Sequence, residues 1–400
     1  MIDQSAAGLD ILRIRSETVG CTQGIFMNSA GSSLAPHSVM TAIVDYLREE
    51  EQVGGYEVER LWTTQIGGLY ESVAQLLNCQ PHNIAYAYSA TDAYSRTLSA
   101  IPFKEGDYIL TTDDDYISNQ IAFLSLQQRL GIKLLRANNL ATGDLDLSHV
   151  EQLIRDHHPV LVAVTHVPTN SGLVQPAEEI GIICRRYGVW YLLDACQSVG
   201  QLPVDVTRIG CDFLNVTGRK FLRGPRNTGF LYVSNRVLQA GLTPLFIDRR
   251  GAAWTETNAY QVQAGARRFE PQEVSAFIVG LAEAVRYANE IGIEAIAKTN
   301  EHMLYRLRTK LEQIDGLHLL DRGSVRSNIL TFHTNRQSLS VLEAALTHSG
   351  IVYTVQHQHY ALIDFMRKGV NWAIRLSPHY FNTLEEIDTV VDVIARVIAK

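Results

Sequence analysis

The sequence is poor in the features that mark secreted, membrane-embedded and nucleic-acid-binding proteins. Its five cysteines are odd in number, widely spaced and without a Cys-x-x-Cys pair, which argues against a disulfide framework or a zinc site. No apolar run approaches the roughly 18 residues of a membrane-spanning helix, and the N-terminus lacks the apolar core of a signal peptide. Lys and Arg number 35 against 42 acidic residues, a net charge of −7, so a basic surface for nucleic acid or anionic membrane is not expected. We predict a cytoplasmic protein whose partner is a small molecule.

Four common motifs are also missing. The chain contains no GxxxxGK[ST], GxGxxG, HExxH or GxSxG sequence. Mononucleotide-binding and simple hydrolase functions therefore lose their main support.

Short β-rich runs alternate with helical patterns from about residue 66 onward. The run VLVAVT at 160–165 is typical of a buried strand, and 177–187 is typical of a helix. Strands separated by helices need crossover connections, which predicts an α/β fold with a large, doubly wound, mostly parallel sheet. Ligands of such a sheet bind at the carboxyl ends of its strands.

The pattern changes after Pro271, where long helical stretches replace the alternation. For a chain of 400 residues, more than one domain is expected. We predict an N-terminal arm at 1–27, a large domain at 28–285 and a smaller C-terminal α+β domain at 286–400.

The most informative residues follow two neighbouring predicted strands. Asp194 ends an apolar strand, where a carboxylate is costly unless it meets a cation or hydrogen-bond donors. Alone it is typical of a helix cap or turn, and Lys220 alone is typical of a solvated lysine. Together they meet the needs of pyridoxal phosphate: a lysine amine forms an imine with its aldehyde, and an aspartate keeps its ring nitrogen protonated.

The motif Asp194-x-x-Gln197, followed by Thr217-Gly218-Arg219-Lys220, resembles the aminotransferase class V group of fold-type I pyridoxal phosphate enzymes. Members include cysteine desulfurases, selenocysteine lyase, isopenicillin N epimerase and C–S lyases. The resemblance runs from about Asn28 to Glu386. The stretches RRGAAWT and ARRFEPQE are most similar to the epimerase and lyase branch.

This resemblance implies pyridoxal phosphate as the cofactor and Lys220 as both Schiff-base lysine and general base. Ser89, Ala90 and Thr91 precede a predicted helix, whose first N–H groups suit a phosphate, although a Ser/Thr helix cap explains them too, and the guanidinium of Arg219 also suits a phosphate. The residues implied to bind the cofactor are Ser89, Ala90, Thr91, Tyr116, Thr169, Asn170, Asp194, Gln197, Thr217, Arg219 and Lys220.

Several of these assignments have open alternatives. Tyr116 falls where the family places an aromatic ring over the pyridine face, although a loop tyrosine explains it too. Thr169 and Asn170 compete for one position beside the cofactor hydroxyl, because the alignment is ambiguous by one residue. Gln197 is implied to approach the same oxygen, and a polar residue at a helix start is its simpler explanation.

Three residues are implied to contact the substrate. Arg375 matches the arginine that binds the α-carboxylate, Asn28 lies in a segment that family members fold over the substrate, and His359 occupies a loop of the small domain. A surface arginine and an ordinary turn are the simpler explanations for the first two. His357 and His359 form weak evidence for a metal, because no carboxylate or cysteine stands close by, and we predict no metal site.

The resemblance also implies a homodimer in which the region around Trp254 reaches the neighbouring subunit's site. The arginines that flank this region are equally compatible with a solvated surface.

The sequence indicates the type of reaction less clearly than it indicates the cofactor. Desulfurases use a cysteine thiolate on a small-domain loop, and this chain has no cysteine after Cys211, so we expect that it is not a persulfide-forming cysteine desulfurase. We favour a C–S lyase that performs β-elimination on a cysteine-derived amino acid. An epimerase or racemase, a class V aminotransferase and a non-catalytic binding protein are the alternatives.

Overall fold

The chain forms β-strands where the sequence carries short β-branched and apolar runs. The computed structural model describes residues 8–273 and 275–399. The strands in these residues are β1 Ile25–Phe26, β2 Ile84–Ala87, β3 Tyr108–Thr112, β4 Lys133–Ala137, β5 Leu161–Thr165, β6 Trp190–Asp194, β7 Phe213–Thr217, β8 Gly229–Val233, β9 Ala252–Glu256, β10 Ala259–Val262, β11 Leu317–Leu319, β12 Leu330–Thr334, β13 Ile351–Val352, β14 Thr354–His357 and β15 Trp372–Leu376.

Helices form where apolar residues recur at helical spacing, and several begin at a side-chain cap such as Ser89, Asp146 or Thr383. The α-helices of the described residues are α1 Ile11–Ser16, α2 His37–Val53, α3 Gly55–Leu61, α4 Thr63–Leu77, α5 Ala90–Ala100, α6 Ile117–Leu130, α7 Leu147–His157, α8 Ala177–Tyr187, α9 Val206–Ile209, α10 Asn235–Gln239, α11 Ala276–Ile291, α12 Ile293–Leu311, α13 Leu339–His348, α14 Leu362–Lys368 and α15 Leu384–Ile398. None of these helices combines the length and apolar character needed to cross a bilayer.

A seven-stranded sheet forms the centre of the larger part of the fold, in the order β2-β8-β7-β6-β5-β3-β4. Neighbours from β4 to β7 are parallel, whereas β8 runs antiparallel to both β7 and β2. Every residue of β5 and β7 is buried, so neither strand alternates between buried and exposed residues. This is typical of strands in a sheet that is covered on both faces. The predicted α/β fold with a large, mostly parallel sheet is confirmed.

The strand order reverses between β3 and β5, because β4 lies on one side of β3 while β5, β6 and β7 extend on the other. Crossover helices on opposite sides of such a point leave a crevice at the carboxyl ends of the two strands. The loops after β3 and β5 therefore border a natural ligand site, and the ends of β6 and β7 continue along the same edge.

A second, four-stranded antiparallel sheet has the order β11-β12-β15-β14 and packs against α12, α13 and α15. The N-terminal segment is fastened to this part of the chain, because β1 pairs with β13, Met27 is fully buried in its core, and Asn28 forms a bridge with Ser377. Helix α11 packs on α2 and α4, whereas α12 packs on α15. The division into domains at residues 285 and 286 stays a prediction.

The loop after β7 is fixed by hydrogen bonds from the buried guanidinium of Arg223. Arg223 is 1% exposed and donates to the Leu34 carbonyl at 2.8 Å, the Tyr380 hydroxyl at 2.7 Å and the Thr18 hydroxyl at 2.6 Å. Beside it, the Nε2 of His379 donates to the Phe221 carbonyl at 2.8 Å. These bonds fix the backbone that presents Lys220, because its segment is tied both to the N-terminal region and to the segment that follows β15.

Candidate active site

A cavity of about 740 Å³, including its solvent-open mouth, lies at the carboxyl edge of the large sheet. Its walls come from the loops after β3, β5, β6 and β7 and from the first turn of α5. The residues that line it are Ser89, Ala90, Thr91, Tyr116, Asn119, Thr165, Val167, Thr169, Asp194, Cys196, Gln197, Asn215, Thr217, Arg219, Lys220, Arg226 and Asn227.

Lys220 lies inside this cavity and is 8% exposed. Burial lowers the pKa of its amine, and the positive charges of Arg219 and Arg375 lower it further, while Cys196 and Asp194 oppose the shift. The amine is therefore neutral, and able to act as a nucleophile, at a lower pH than that of a solvated lysine. Its Nζ lies 5.8 Å from the centre of the Tyr116 ring, so the aromatic face covers the space beside the amine.

Asp194 is the last residue of β6 and is 4% exposed. Its Oδ1 accepts from the Cys196 backbone N–H at 3.0 Å, and its Oδ2 accepts from the Asn119 side chain at 3.1 Å. These donors hold the carboxylate in one orientation at the cavity wall. A carboxylate in this position suits a cationic ring nitrogen.

An anion site lies at the start of α5. Ser89 caps the 11-residue helix by accepting from the Asp92 N–H at 3.1 Å, and Ser89, Ala90 and Thr91 at the helix start line the cavity. A Cβ on Gly229 would lie 2.4 Å from the Val216 carbonyl and about 3 Å from the Ser89 and Ala90 backbone, so only glycine lets β8 pack this closely. Arg219 and Thr217 line the same cavity.

Arg375 lies on the second sheet, next to the cavity-lining residue Thr169, and is 3% exposed. Its Nη1 donates to both the carbonyl and the hydroxyl of Thr169 at 2.9 Å, and its Nη2 donates to the Oδ1 of Asn28 at 3.2 Å. Its Nε is buried and finds no hydrogen-bond partner in the described part of the chain. The structure thus brings Asn28 and Arg375 together beside Thr169, which lines the cavity.

Gln197 occupies the opposite end of this hydrogen-bonded group. Its Nε2 donates to the Ala30 carbonyl at 3.0 Å and to the Thr169 hydroxyl at 3.1 Å. Its Oε1 is buried and has no partner within residues 8–273 and 275–399. Gln197 and Arg375 both donate to the Thr169 hydroxyl, and each keeps one buried polar atom without a partner in the described residues. Such atoms indicate a site for a polar ligand.

Asn28 and Arg375 do not line the cavity themselves but are bonded around a lining residue, and two further expected site residues lie elsewhere. Asn170 turns away from the cavity, and its amide donates to the buried carboxylate of Asp364 on α14. His359 is exposed and contacts Tyr360 with the ring centres 4.1 Å apart and the planes tilted by 46°, outside the set of residues that line the cavity. Of the pair that the alignment left open, Thr169 is the one that lines the cavity.

Several lining residues were not expected from the sequence. Asn215 stands two residues before Thr217 on the same strand, so strand alternation alone places both side chains on one face. Cys196 lies within the Asp194 motif, and Asn119 lies one helical turn after Tyr116, so spacing was the available signal. Arg226 and Asn227 follow the lysine in a loop whose path the sequence does not reveal.

A family model, Aminotransferase class-V, matches residues 25–390. The chain belongs to the aminotransferase class V family. Its cofactor is pyridoxal phosphate, and the site fits this group: the lysine is buried, the aspartate is oriented by two donors, the helix start suits a phosphate, and the Gln197 Oε1 lacks a partner. The expected membership of the class V family is confirmed.

Two relatives of this class V chain match it over more than nine-tenths of both sequences. A probable cysteine desulfurase of Methanothermobacter thermautotrophicus is 28% identical over 91% of this chain and 92% of the relative. A probable cysteine desulfurase of Pyrococcus abyssi is 28% identical over 94% of each chain.

Solved structures share the fold. The apo cysteine desulfurase of Thermococcus onnurineus NA1 has a TM-score of 0.89 at 24% identity and covers 97% of this chain and 98% of its own. A cystine C-S lyase in complex with its product, cysteine persulfide, has a TM-score of 0.84 at 22% identity and covers 94% of this chain and 99% of its own.

The exclusion of a persulfide-forming cysteine desulfurase is wrong. It was inferred from one loop that lacks a cysteine, whereas the similarity to proteins named cysteine desulfurase extends over more than nine-tenths of the chain. The residues of one loop do not outweigh a likeness that includes the whole cofactor-binding sheet.

We predict that Arg375→Gln shifts the pH dependence of cofactor binding. Because the Arg375 charge lowers the pKa of Lys220, its removal raises that pKa, and the free amine appears only at higher pH. The midpoint of the rate of pyridoxal phosphate recombination with apoenzyme, measured against pH, should move upward. Arg336→Gln, which removes a surface arginine paired with Asp315, is the control and should leave the midpoint in place. An unchanged or lowered midpoint in Arg375→Gln would contradict the electrostatic account of Lys220.

Proposed function

We propose that this pyridoxal phosphate enzyme cleaves the C–S bond of cysteine or an S-substituted cysteine, such as cystine, by β-elimination. The observation that carries the proposal is that the buried Arg375 donates to Thr169 in the wall of the cavity that holds the buried Lys220, so that its charge lowers the pKa of Lys220. An α-amino acid needs this pair, because one group must bind the carboxylate while the other reaches the Cα proton.

The residues have distinct tasks in this proposal. The cofactor, when bound, withdraws electrons from the substrate Cα. Arg375 binds the α-carboxylate through its Nε, which has no partner among the described residues, and Asn28 and Thr169 fix the guanidinium plane. The neutral amine of Lys220 then takes the Cα proton. The sulfur leaves Cβ as a thiol, and water converts the remaining three-carbon fragment to pyruvate and ammonia.

The sulfur-containing substrate is supported by the relatives, which are named cysteine desulfurases, and by the fold neighbour, which is named a cystine C-S lyase. In β-elimination the sulfur leaves on the substrate's own group, as a thiol or, from cystine, as cysteine persulfide. The protein then needs no thiol of its own at the reaction centre. This agrees with Cys196, the cysteine at the cavity, whose pKa is raised well above the usual value by burial.

We predict that the purified enzyme converts L-cystine or an S-substituted cysteine to pyruvate and ammonia in equal amounts, with a thiol or persulfide as third product. Arg375→Gln should lower kcat/KM by roughly 100-fold, because a buried hydrogen-bonded charge pair is lost. Arg336→Gln should retain full activity.

Three other outcomes of the same assay would contradict the proposal. Alanine formed together with transferred sulfur would indicate desulfuration. Exchange of the Cα proton in deuterated water without formation of pyruvate would indicate an epimerase, the branch to which the stretches RRGAAWT and ARRFEPQE are similar. Formation of a new amino acid only when a keto acid is added would indicate an aminotransferase.

We also propose a homodimer that buries the hairpin formed by β9 and β10. Trp254 and Tyr260 on this hairpin are 81% and 62% exposed, and Phe246 shortly before it is 81% exposed. Large apolar side chains that are this exposed within one segment are typical of a protein interface.

The five cysteines are all unpaired, which is consistent with the reducing cytoplasm that we propose as the location.

Trp254→Asp is expected to convert the dimer to a monomer, because a charge would replace an aromatic side chain at the interface. Sedimentation equilibrium of the wild type should give twice the mass of the chain, and that of the variant should give the mass of the chain itself. Tyr305→Asp, at a residue of α12 that is 70% exposed, is the control and should remain dimeric. A monomeric wild type would refute the dimer.

A further inference from the structure

A second carboxylate lies behind Asp194, away from the cavity. Asp115 follows β3 and is 5% exposed. Its Oδ1 accepts from the Tyr116 N–H at 2.7 Å, Asn119 at 3.0 Å and Thr165 at 2.6 Å, and its Oδ2 accepts from Thr111 at 3.2 Å and Gln120 at 2.6 Å.

This arrangement favours the charged form of Asp115. Five donors converge on its two oxygens, whereas a protonated carboxyl would have to donate one hydrogen bond itself. Burial, with a smaller contribution from the nearby Asp194, raises the pKa of Asp115, although the hydrogen bonds from Thr165, Asn119 and Gln120 oppose that rise. Within residues 8–273 and 275–399, no lysine or arginine is among its hydrogen-bond partners.

Asn119 joins the two carboxylates. Its Nδ2 carries two hydrogens and has two acceptors, the Asp115 Oδ1 at 3.0 Å and the Asp194 Oδ2 at 3.1 Å. The side chain is 4% exposed and lies in the first turn of α6, at the wall of the cavity. The orientation of Asp194 is therefore tied to α6 and to Asp115, and not only to its own strand.

We propose that Asn119 and Asp115 are positioning residues for the ring nitrogen of the cofactor. Asn119 holds the Asp194 carboxylate in the orientation that meets the nitrogen, and the charge of Asp115 adds to the negative potential that keeps the nitrogen protonated. The carboxylates of Asp115 and Asp194 share the Asn119 amide, so their negative charges repel each other unless a cation lies nearby. A protonated pyridine ring is such a cation. The proposal depends on the cofactor and not on which reaction follows.

The test compares two cofactors in one binding experiment. The equilibrium affinity of apoenzyme is measured for pyridoxal phosphate and for an analogue with C–H in place of the ring nitrogen. Asn119→Ala and Asp115→Asn should each weaken binding of pyridoxal phosphate about tenfold or more, the usual size of a hydrogen bond to a charged group, but leave binding of the analogue within about twofold.

The matched control is Asn83→Ala. Asn83 is equally buried, at 3% exposure, and donates to the Val233 carbonyl at 2.8 Å, at the opposite edge of the same sheet. This variant should leave the ratio of the two affinities unchanged. Equal losses of affinity for both cofactors in Asn119→Ala or Asp115→Asn would mean that these residues support only the fold. Unchanged affinities for both cofactors would likewise overturn the proposal.

A second measurement serves if a variant fails to fold. The pH titration of cofactor labelled with nitrogen-15 in its ring, followed by NMR, reports the ring proton directly. In the wild type this nitrogen should stay protonated to a higher pH than in Asn119→Ser, which shortens the side chain and retains a polar group. Identical titrations would overturn the proposal. None of these measurements requires turnover, so a failure of the proposed reaction leaves their outcome unaffected.

Discussion

The site depends on the burial of positive charge at one edge of the large sheet. Lys220, Arg219 and Arg375 stand close enough for their charges to interact, and Lys220 and Arg375 are almost fully buried. Burial of cations is costly unless anions meet them, and the protein itself supplies mainly Asp194. The phosphate of the cofactor and the carboxylate of an amino acid supply the remaining negative charge. The net charge of −7 therefore belongs to the rest of the molecule, while the cavity attracts anions.

This constraint also connects the two sheets. Arg375 lies on β15 of the second sheet, but its hydrogen bonds go to Thr169 of the loop after β5 and to Asn28 of the N-terminal segment. A substrate carboxylate bound at Arg375 would therefore contact a group whose position depends on all three segments. The same geometry explains why the N-terminal segment is paired with β13 instead of trailing along the surface.

Much of this site could be predicted, because its central residues follow strands that the sequence marks clearly. Asp194 and Lys220 each stand after a run of apolar residues, and parallel strands bring such positions to one edge. The choice between Thr169 and Asn170 could not be made, since it depends on the path of a loop, and the side chain of Asn170 proved to pair with Asp364. The position of Asp115 behind Asp194 could not be predicted, because it depends on Thr165, 50 residues away, and on the contact between Asn119 and Asp194, 75 residues apart. The exclusion of desulfurase relatives failed for a related reason, since one loop position carried the whole inference.

The central claim is that Lys220 is the lysine that binds pyridoxal phosphate, and one experiment tests it directly. The enzyme with bound cofactor is reduced with borohydride, which makes the bond between lysine and cofactor permanent, and is then digested and analysed by mass spectrometry. The account predicts a single modified peptide, with the reduced cofactor on Lys220. A cofactor on another lysine, or no modified peptide from enzyme supplied with excess cofactor, would contradict it.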